Sequence, residues 1–332
     1  MSRFSLSTST VASLAMLTAL AAAPGSAAQA QTAGYPERNI TVVVPFPPGG
    51  ASDSTARLLA GKMQEALGKP VVIDNRPGAN GSAGAGHVKQ SAPDGYTLLV
   101  GSIGVYAINP ALFPNLNYDP AKDFDLLTVA VRTPNALVAH PDFPANTIAE
   151  LVDYLKKNPN KVTFASSGSG SSDHLTAELF WQKTGTDGIH VPYKGGGPAI
   201  GDLIGGHADV SFQNLGAVAN HIKAGKLKVL AVTAEARNPV FPDVPTMKEA
   251  GVDGLEVYSW QAAAAPKGLP ADVKARLATE MQAALNDPAI TAKFNEIGFE
   301  VVANSPEDFT KFQAAEEARW RAVVKAGNVA TQ

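Results

Sequence analysis

The sequence contains no cysteine. That excludes disulfides, thiolate metal sites, cysteine nucleophiles and a lipid-modified N-terminal cysteine. It has no G-x-x-x-x-G-K-[ST] loop, and its nearest approach to G-x-G-x-x-G, at Gly168-Ser169-Gly170, puts Asp173 where the third glycine belongs. A nucleotide-phosphate cradle is therefore not expected. The six histidines show neither H-x-x-x-H nor H-E-x-x-H spacing, so no metal site is expected. Charge of either sign is not clustered. With 27 basic and 30 acidic residues the formal net charge is −3, which argues against nucleic acid or an anionic membrane as the main partner.

Long apolar runs are also missing, with one exception near the start. Arg3 supplies a positive charge, Val11 to Ala23 is rich in alanine and leucine, and Ala28-Gln29-Ala30 offers small residues for cleavage. That order of features reads as a secretory signal peptide over residues 1–30. The run is too short to span a bilayer comfortably. Export of a cysteine-free chain points to a bacterial periplasm.

About 300 residues remain, enough for two domains of ordinary size. Strand-like runs alternate with helical patterns, which implies α/β architecture. Ile40 to Val44 reads as a strand, Asp53 to Leu67 as a helix stopped by Gly68, and Tyr96 to Val100 as a further strand. Leu126 to Val131 and Asn135 to Ala139 read as two strands separated by Arg132-Thr133-Pro134, because proline disfavours a continuous central strand. Ile148 to Lys157 is a helix that Asn146 or Thr147 can cap. Extended crossings near Arg132 and Leu255 suggest a discontinuous first domain with the second inserted between them.

One unit recurs: strand, glycine-rich loop, helix start. It appears at Val44 to Gly50, Ser166 to Ser172 and Tyr193 to Gly197, with Pro198 expected at the first helical position. Glycine lets backbone approach a ligand closely. The first turn of a helix leaves amide groups without intrahelical partners, and the helix dipole favours an anion there. Each loop alone is equally a tight turn. Three together, two of them carrying hydroxyls, point to an anion site made of backbone amides and serines, which suits a carboxylate. A carboxylate side chain touching that anion would repel it, so Asp53 is expected to brace its loop from behind. Phe46 either packs under the loop or covers the ligand.

A hydrolase is the rival reading. Ser172-Asp173-His174 are adjacent, but neighbours at a helix start point in different directions and form no relay. There is no G-x-S-x-G elbow. A distant pairing of a serine with His87, His140, His190, His207 or His221 stays open.

Longer motifs carry a resemblance. They are Tyr35-Pro36, Val44-Pro45-Phe46-Pro47-Pro48-Gly49-Gly50 with Asp53, and Asn75-Arg76-Pro77-Gly78-Ala79 with Gly81. Pro93-Asp94-Gly95-Tyr96-Thr97-Leu98, His190-Val191-Pro192-Tyr193-Lys194-Gly195 and Ala224-Gly225-Lys226-Leu227 follow. Pro242-Asp243-Val244-Pro245-Thr246, Glu249-Ala250-Gly251 and Trp260 complete the set. In combination the chain resembles the Bug family, the extracytoplasmic solute receptors of tripartite tricarboxylate transporters.

The resemblance implies a two-lobed Venus-flytrap of type II-like periplasmic binding-protein fold, each lobe a mixed sheet flanked by helices. Lobe 1 would comprise 31–132 plus 254–332 and lobe 2 would be 133–253. It implies a small carboxylate ligand (a dicarboxylate, an amino acid or an aromatic carboxylate), no cofactor, no catalysis, and a monomer that serves membrane subunits of such a transporter. A ligand sensor for a membrane signalling protein would look the same in sequence. Carried over residue by residue, the site would include Phe46, Gly49, Gly50, Ser52 and Asp53, with Ser102 after the next strand. The opposite lobe would supply Ser166, Ser167, Gly168, Ser171, His174, Tyr193, Lys194 and Gly195, with Gln213 and Asn214 bearing on ligand identity.

Overall fold

The structure, a computed structural model, describes residues 34–327 together with Met1 and Val329. Apart from Met1, the leader expected at residues 1–30 lies outside the described residues. In chain order the elements are β1 (Ile40–Val44), α1 (Ala51–Leu67), β2 (Val71–Asn75), α2 (Ser82–Lys89) and β3 (Thr97–Ser102). Then come α3 (Asn109–Leu112), α4 (Pro120–Asp123), β4 (Phe124–Ala139), α5 (Ile148–Lys157), β5 (Thr163–Ser166) and α6 (Ser172–Thr184). They are followed by β6 (Ile189–Pro192), α7 (Gly196–Ile204), β7 (Val210–Asn214), α8 (Leu215–Lys223) and β8 (Lys228–Val232). The last are β9 (Tyr258–Pro266), α9 (Ala271–Asn286), α10 (Pro288–Glu296), β10 (Glu300–Val301) and α11 (Pro306–Gly327).

Local chemistry sets many of these boundaries. Gly68 ends α1 in the left-handed conformation, φ 67°, and returns its amide to the Gln64 carbonyl. Thr147 caps α5 by accepting from the Glu150 amide, while the Glu150 carboxylate accepts from the Asn146 amide at 2.7 Å. This reciprocal exchange satisfies two donors at the helix start. α7 begins at Gly196, two residues before Pro198. The proline still lies in the first turn, where its missing N–H has no intrahelical partner to lose.

The sheet runs β2-β1-β3-β9-β4-β7-β5-β6, with β8 and β10 also paired to β4. β1, β2 and β3 are parallel, as are β5, β6 and β7. Helices α1, α2, α6 and α7 make the crossovers that parallel neighbours require. β4 and β9 stand between the two sets, antiparallel to each other.

The sequence reading of two separate runs across residues 126–139 is corrected here: β4 is one strand of 16 residues. β9 pairs with it as far as Pro134 opposite Tyr258. β7 takes over from Asn135 and β8 from Ala136. Pro134 therefore stands where one partner gives way to the next, and its missing donor interrupts no continuous ladder. The return crossing read near Leu255 is β9. Helix α8, the short α3 and α4, and a wide helical turn over Gly104–Ile108 have no counterpart in the sequence reading.

The first strand set packs one apolar cluster, built around Val42, Leu98, Leu127, Ala263 and Leu277. The second packs two, and alternate residues of β4 divide between them: Leu137 and Ala139 in one, Ala136 and Val138 in the other. That is the period-two alternation of a strand covered on both faces. On β9 the same alternation sends Trp260 into the first cluster, where its indole Nε1 donates to the buried Glu316 carboxylate at 2.9 Å. Trp320 Nε1 donates to the same oxygen at 3.3 Å.

Where α8 meets the other strand set, Gly216 lies under Phe299. A Cβ there would stand 2.0 Å from the ring. We expect Gly216→Ala to destabilise the fold by about 1–3 kcal/mol, the usual cost of overpacking, visible as a lowered melting temperature. An unchanged melting curve would mean that this contact yields freely.

Candidate functional site

The glycine-rich loops that follow β1, β5 and β6 converge on one cavity, with β9 beneath them. Its walls combine residues from both strand sets. Eight of the residues singled out in the sequence line it: Phe46, Gly50, Ser52, Ser102, Ser167, Ser171, Gln213 and Asn214. None of the lining residues is lysine, arginine or histidine.

One end of the cavity is a surface of donors. Gly50 is the extended N-cap of α1, and no side chain caps that helix. Its first-turn amides, including those of Ala51 and Ser52, thus have no intrahelical acceptor. Ser52 Oγ donates to Gln261 Oε1 at 2.6 Å. That bond fixes the buried amide of Gln261 and leaves its Nε2 without a partner. The hydroxyl of Ser259, two residues back on the same face of β9, is also buried and unpartnered. An unsatisfied buried donor costs about 1–3 kcal/mol, and both of these groups are left free to donate into the cavity. Asn80, also in the lining, presents an acceptor, its unpartnered Oδ1, while its Nδ2 donates to Asn109 Oδ1 at 2.9 Å.

Asp53 stands behind this end, outside the cavity lining. Its carboxylate accepts from the Gly49 amide at 3.1 Å, from Arg57 Nε at 2.9 Å and from Asn75 Nδ2 at 3.0 Å. Burial pushes its carboxyl upward. Hydrogen bonds from Arg57, Asn75 and Gly49 outweigh that and hold it below the usual carboxylate range. Asn75 also donates to the Phe46 carbonyl at 2.9 Å. Asp53 and Asn75 together set the shape of the loop.

The other end is organised by Asp173, to which the sequence reading gave no part in the site. Its Oδ2 accepts from the Ser167 amide at 2.8 Å, from the Ser167 hydroxyl, and from Gln213 Nε2 at 3.2 Å. Its Oδ1 accepts from Ser172 Oγ at 3.2 Å. Burial raises the Asp173 carboxyl above its ordinary range despite these donors. Ser171 caps α6 by accepting from the His174 amide at 3.3 Å.

The remaining sequence candidates support the walls from outside the lining. Ser166 Oγ is 2.6 Å from His190 Nε2 and accepts from the Gly168 amide. His174 Nδ1 accepts from the Gly170 amide at 3.0 Å, and its ring stacks on His190 at 3.8 Å between centroids. Burial first, then the neighbouring His174, lowers the His190 ring to about 3, so it stays neutral at ordinary pH. Tyr193 donates to Asp202 at 2.7 Å, and Lys194 is exposed. Gly49 and Gly195 belong to a contact between loops. A Cβ on Gly195 would lie 2.5 Å from Pro47 Cδ, and one on Gly197 only 2.4 Å from the Pro48 carbonyl oxygen. Only glycine lets the two loops meet this closely.

The cavity volume is about 40 Å³, room for roughly three water molecules. In this form the loops stand nearly shut. Among the described residues no group of three histidine or acidic side chains is placed to hold a metal ion.

The site residues carried over in the sequence analysis leave out Ala51, Asn80, Ser172, Asp173, Gly196, Ala217, Ser259 and Gln261, although Ser172 and Gly196 lie in two of the glycine-rich loops read there as an anion site. Ser259 and Gln261 also carried a signal, as polar residues alternating with Trp260 in an otherwise apolar run.

Residues 55–329 match the family model described as tripartite tricarboxylate transporter family receptor. Protein BugT of Bordetella pertussis is 37% identical over 313 residues, covering 94% of this chain and 96% of that protein. Among solved structures, R. palustris Rpa4515 with adipate superposes with a TM-score of 0.87 at 38% identity, over 90% of this chain and 99% of that one. MatC of Rhodopseudomonas palustris with bound malate gives a TM-score of 0.84 at 34% identity, over 87% of this chain and 100% of that one.

Proposed function

Because the chain belongs to the tripartite tricarboxylate transporter receptor family, we propose that it captures a small carboxylate in the cavity and delivers it to membrane subunits of such a transporter. One observation carries this reading. The cavity presents unpartnered donors, Gln261 Nε2 and the first-turn amides of α1, and no cationic side chain lines it. Neutral dipoles fixed in place hold a carboxylate at a helix start without a charged clamp. The adipate- and malate-bound relatives support the ligand class.

Two lobes, 31–132 plus 254–332 and 133–253, would hinge about β4 and β9. The small cavity volume requires the lobes to part before a ligand of more than a few heavy atoms enters. Binding then shifts the population toward the closed form, whose joined lobes the transporter reads. The site of action would be the periplasm and the receptor a monomer. Among the described residues no helix is long and apolar enough to cross a membrane.

Thermal shift and calorimetry against mono-, di- and aromatic carboxylates test this. A true ligand at a hundredfold excess over Kd stabilises the native protein by about 2.7 kcal/mol. No stabilisation by any carboxylate would remove the reading. The serine hydrolase alternative gains little support from the geometry: Ser166, which is hydrogen-bonded to the His190 ring, lies outside the cavity lining.

A further inference from the structure

The two ends of the cavity differ in hydrogen-bond chemistry, and the difference lies in where the hydrogens go. At the Asp173 end the side-chain hydrogens are already committed. The single hydroxyl hydrogen of Ser167 goes to Asp173, and so does that of Ser172. Gln213 Nε2 spends its two on Asp173 Oδ2 and on Ser211 Oγ at 3.0 Å. Asn214 Nδ2 spends its two on Asn135 Oδ1 at 2.7 Å and on Ser172 Oγ at 3.2 Å.

An amide whose N–H groups are both used offers only its carbonyl oxygen, and a hydroxyl that has given its hydrogen offers only lone pairs. Gln213 Oε1, Asn214 Oδ1 and Ser167 Oγ therefore present acceptors. Two of them look onto the closing loop: a Cβ on Gly196 would lie 3.3 Å from Ser167 Oγ and 3.5 Å from Gln213 Oε1. Behind them sits the Asp173 carboxyl. Of the lining side chains at this end, only Ser171 keeps a hydroxyl hydrogen that no described hydrogen bond uses.

Resting on the carboxylate reading above, we propose that the ligand is asymmetric: a carboxylate that carries a hydrogen-bond donor, an ammonium or a hydroxyl, at its other end. The carboxylate meets Gln261 Nε2, Ser259 and the start of α1. The donor meets Gln213 Oε1, Asn214 Oδ1 and Ser167 Oγ in front of Asp173. A second carboxylate at that end would face three side-chain acceptors and a buried acid, with only the Ser171 hydroxyl and the first-turn amides of α7 as donors against them. Asp173 and Gln213 thereby become the specificity-determining pair, choosing amino and hydroxy acids over plain dicarboxylates of equal length.

The test is calorimetry at pH 7 with matched triplets of three to six carbons, each as the ω-amino acid, the ω-hydroxy acid and the dicarboxylate. At the best chain length the amino or hydroxy acid should bind at least about tenfold more tightly than the dicarboxylate. Asp173→Asn, which removes the charge and keeps the shape, should narrow or invert that preference. Should it fail to fold, Ser167→Ala removes one acceptor and should weaken only the donor-bearing ligands. A dicarboxylate that binds as tightly as its partners, in both the wild type and the variant, overturns the proposal and leaves the carboxylate reading intact. No binding by any member of any triplet overturns both.

Discussion

Gln261→Leu is expected to weaken carboxylate binding roughly 10- to 150-fold, the equivalent of the 1.5–3 kcal/mol that a hydrogen bond to a charged group contributes. Gln261 is fully buried on β9. Its carbonyl holds the Ser52 hydroxyl and its Nε2 has no partner among the described residues. Leucine is similar in volume and cannot donate. The same substitution removes one unsatisfied buried donor, Gln261 Nε2, and strands another, the Ser52 hydroxyl, so the melting temperature of the ligand-free protein should change little. A loss of binding without a matching loss of stability separates this role from that of a residue needed only for folding. Titration calorimetry and a melting curve on one preparation read both quantities. Unchanged affinity would show that the donor end of the cavity holds nothing.

Gly197→Ala should weaken the same ligand by a route that never touches it. The added Cβ would fall 2.4 Å from the Pro48 carbonyl oxygen, across the seam between the two glycine loops. That clash exists only while the loops meet, so its cost, about 1–3 kcal/mol for an overpacked contact, falls on the closed form alone. We expect affinity to drop roughly 5- to 150-fold, with the melting temperature of the ligand-free protein falling less than that of the liganded protein. Small-angle scattering at saturating ligand should show a larger radius than the liganded wild type. Gly201→Ala on the same helix is the control, because a Cβ there meets nothing within 4 Å. Equal effects from both substitutions would shift the explanation from closure to the helix itself.

Much of the fold is legible from short-range chemistry. Val42 and its β-branched neighbours form the strand, Gly68 the stop and Thr147 the cap, because each is decided within a few residues. The continuity of β4 is not legible. Whether Pro134 breaks a strand depends on which neighbour lies alongside it, and three distant segments supply those neighbours.

The site divides in the same way. Loops that place Phe46, Ser52 and Ser167 announce themselves by glycine and hydroxyl composition. Gln261 hides in a strand that reads as core, and Asp173 matters through hydrogens shared with Gln213, 40 residues away. Tyr193 and Lys194 sit in a motif that looks ligand-facing, yet the tyrosine hydroxyl turns to Asp202 and the lysine is exposed.

The antiparallel pair β4 and β9 has a mechanical consequence. Its register runs from Phe124 opposite Pro266 to Pro134 opposite Tyr258, and slipping it by one residue would turn every side chain to the wrong face. Parting of the proposed lobes would then twist the ribbon along its length, as a torsion bar twists, and would not slide it. Ser259 and Gln261 belong to that ribbon. A molecule bound to them as proposed would grip it at its axis, where a small rotation would become a large displacement at the distant loop tips.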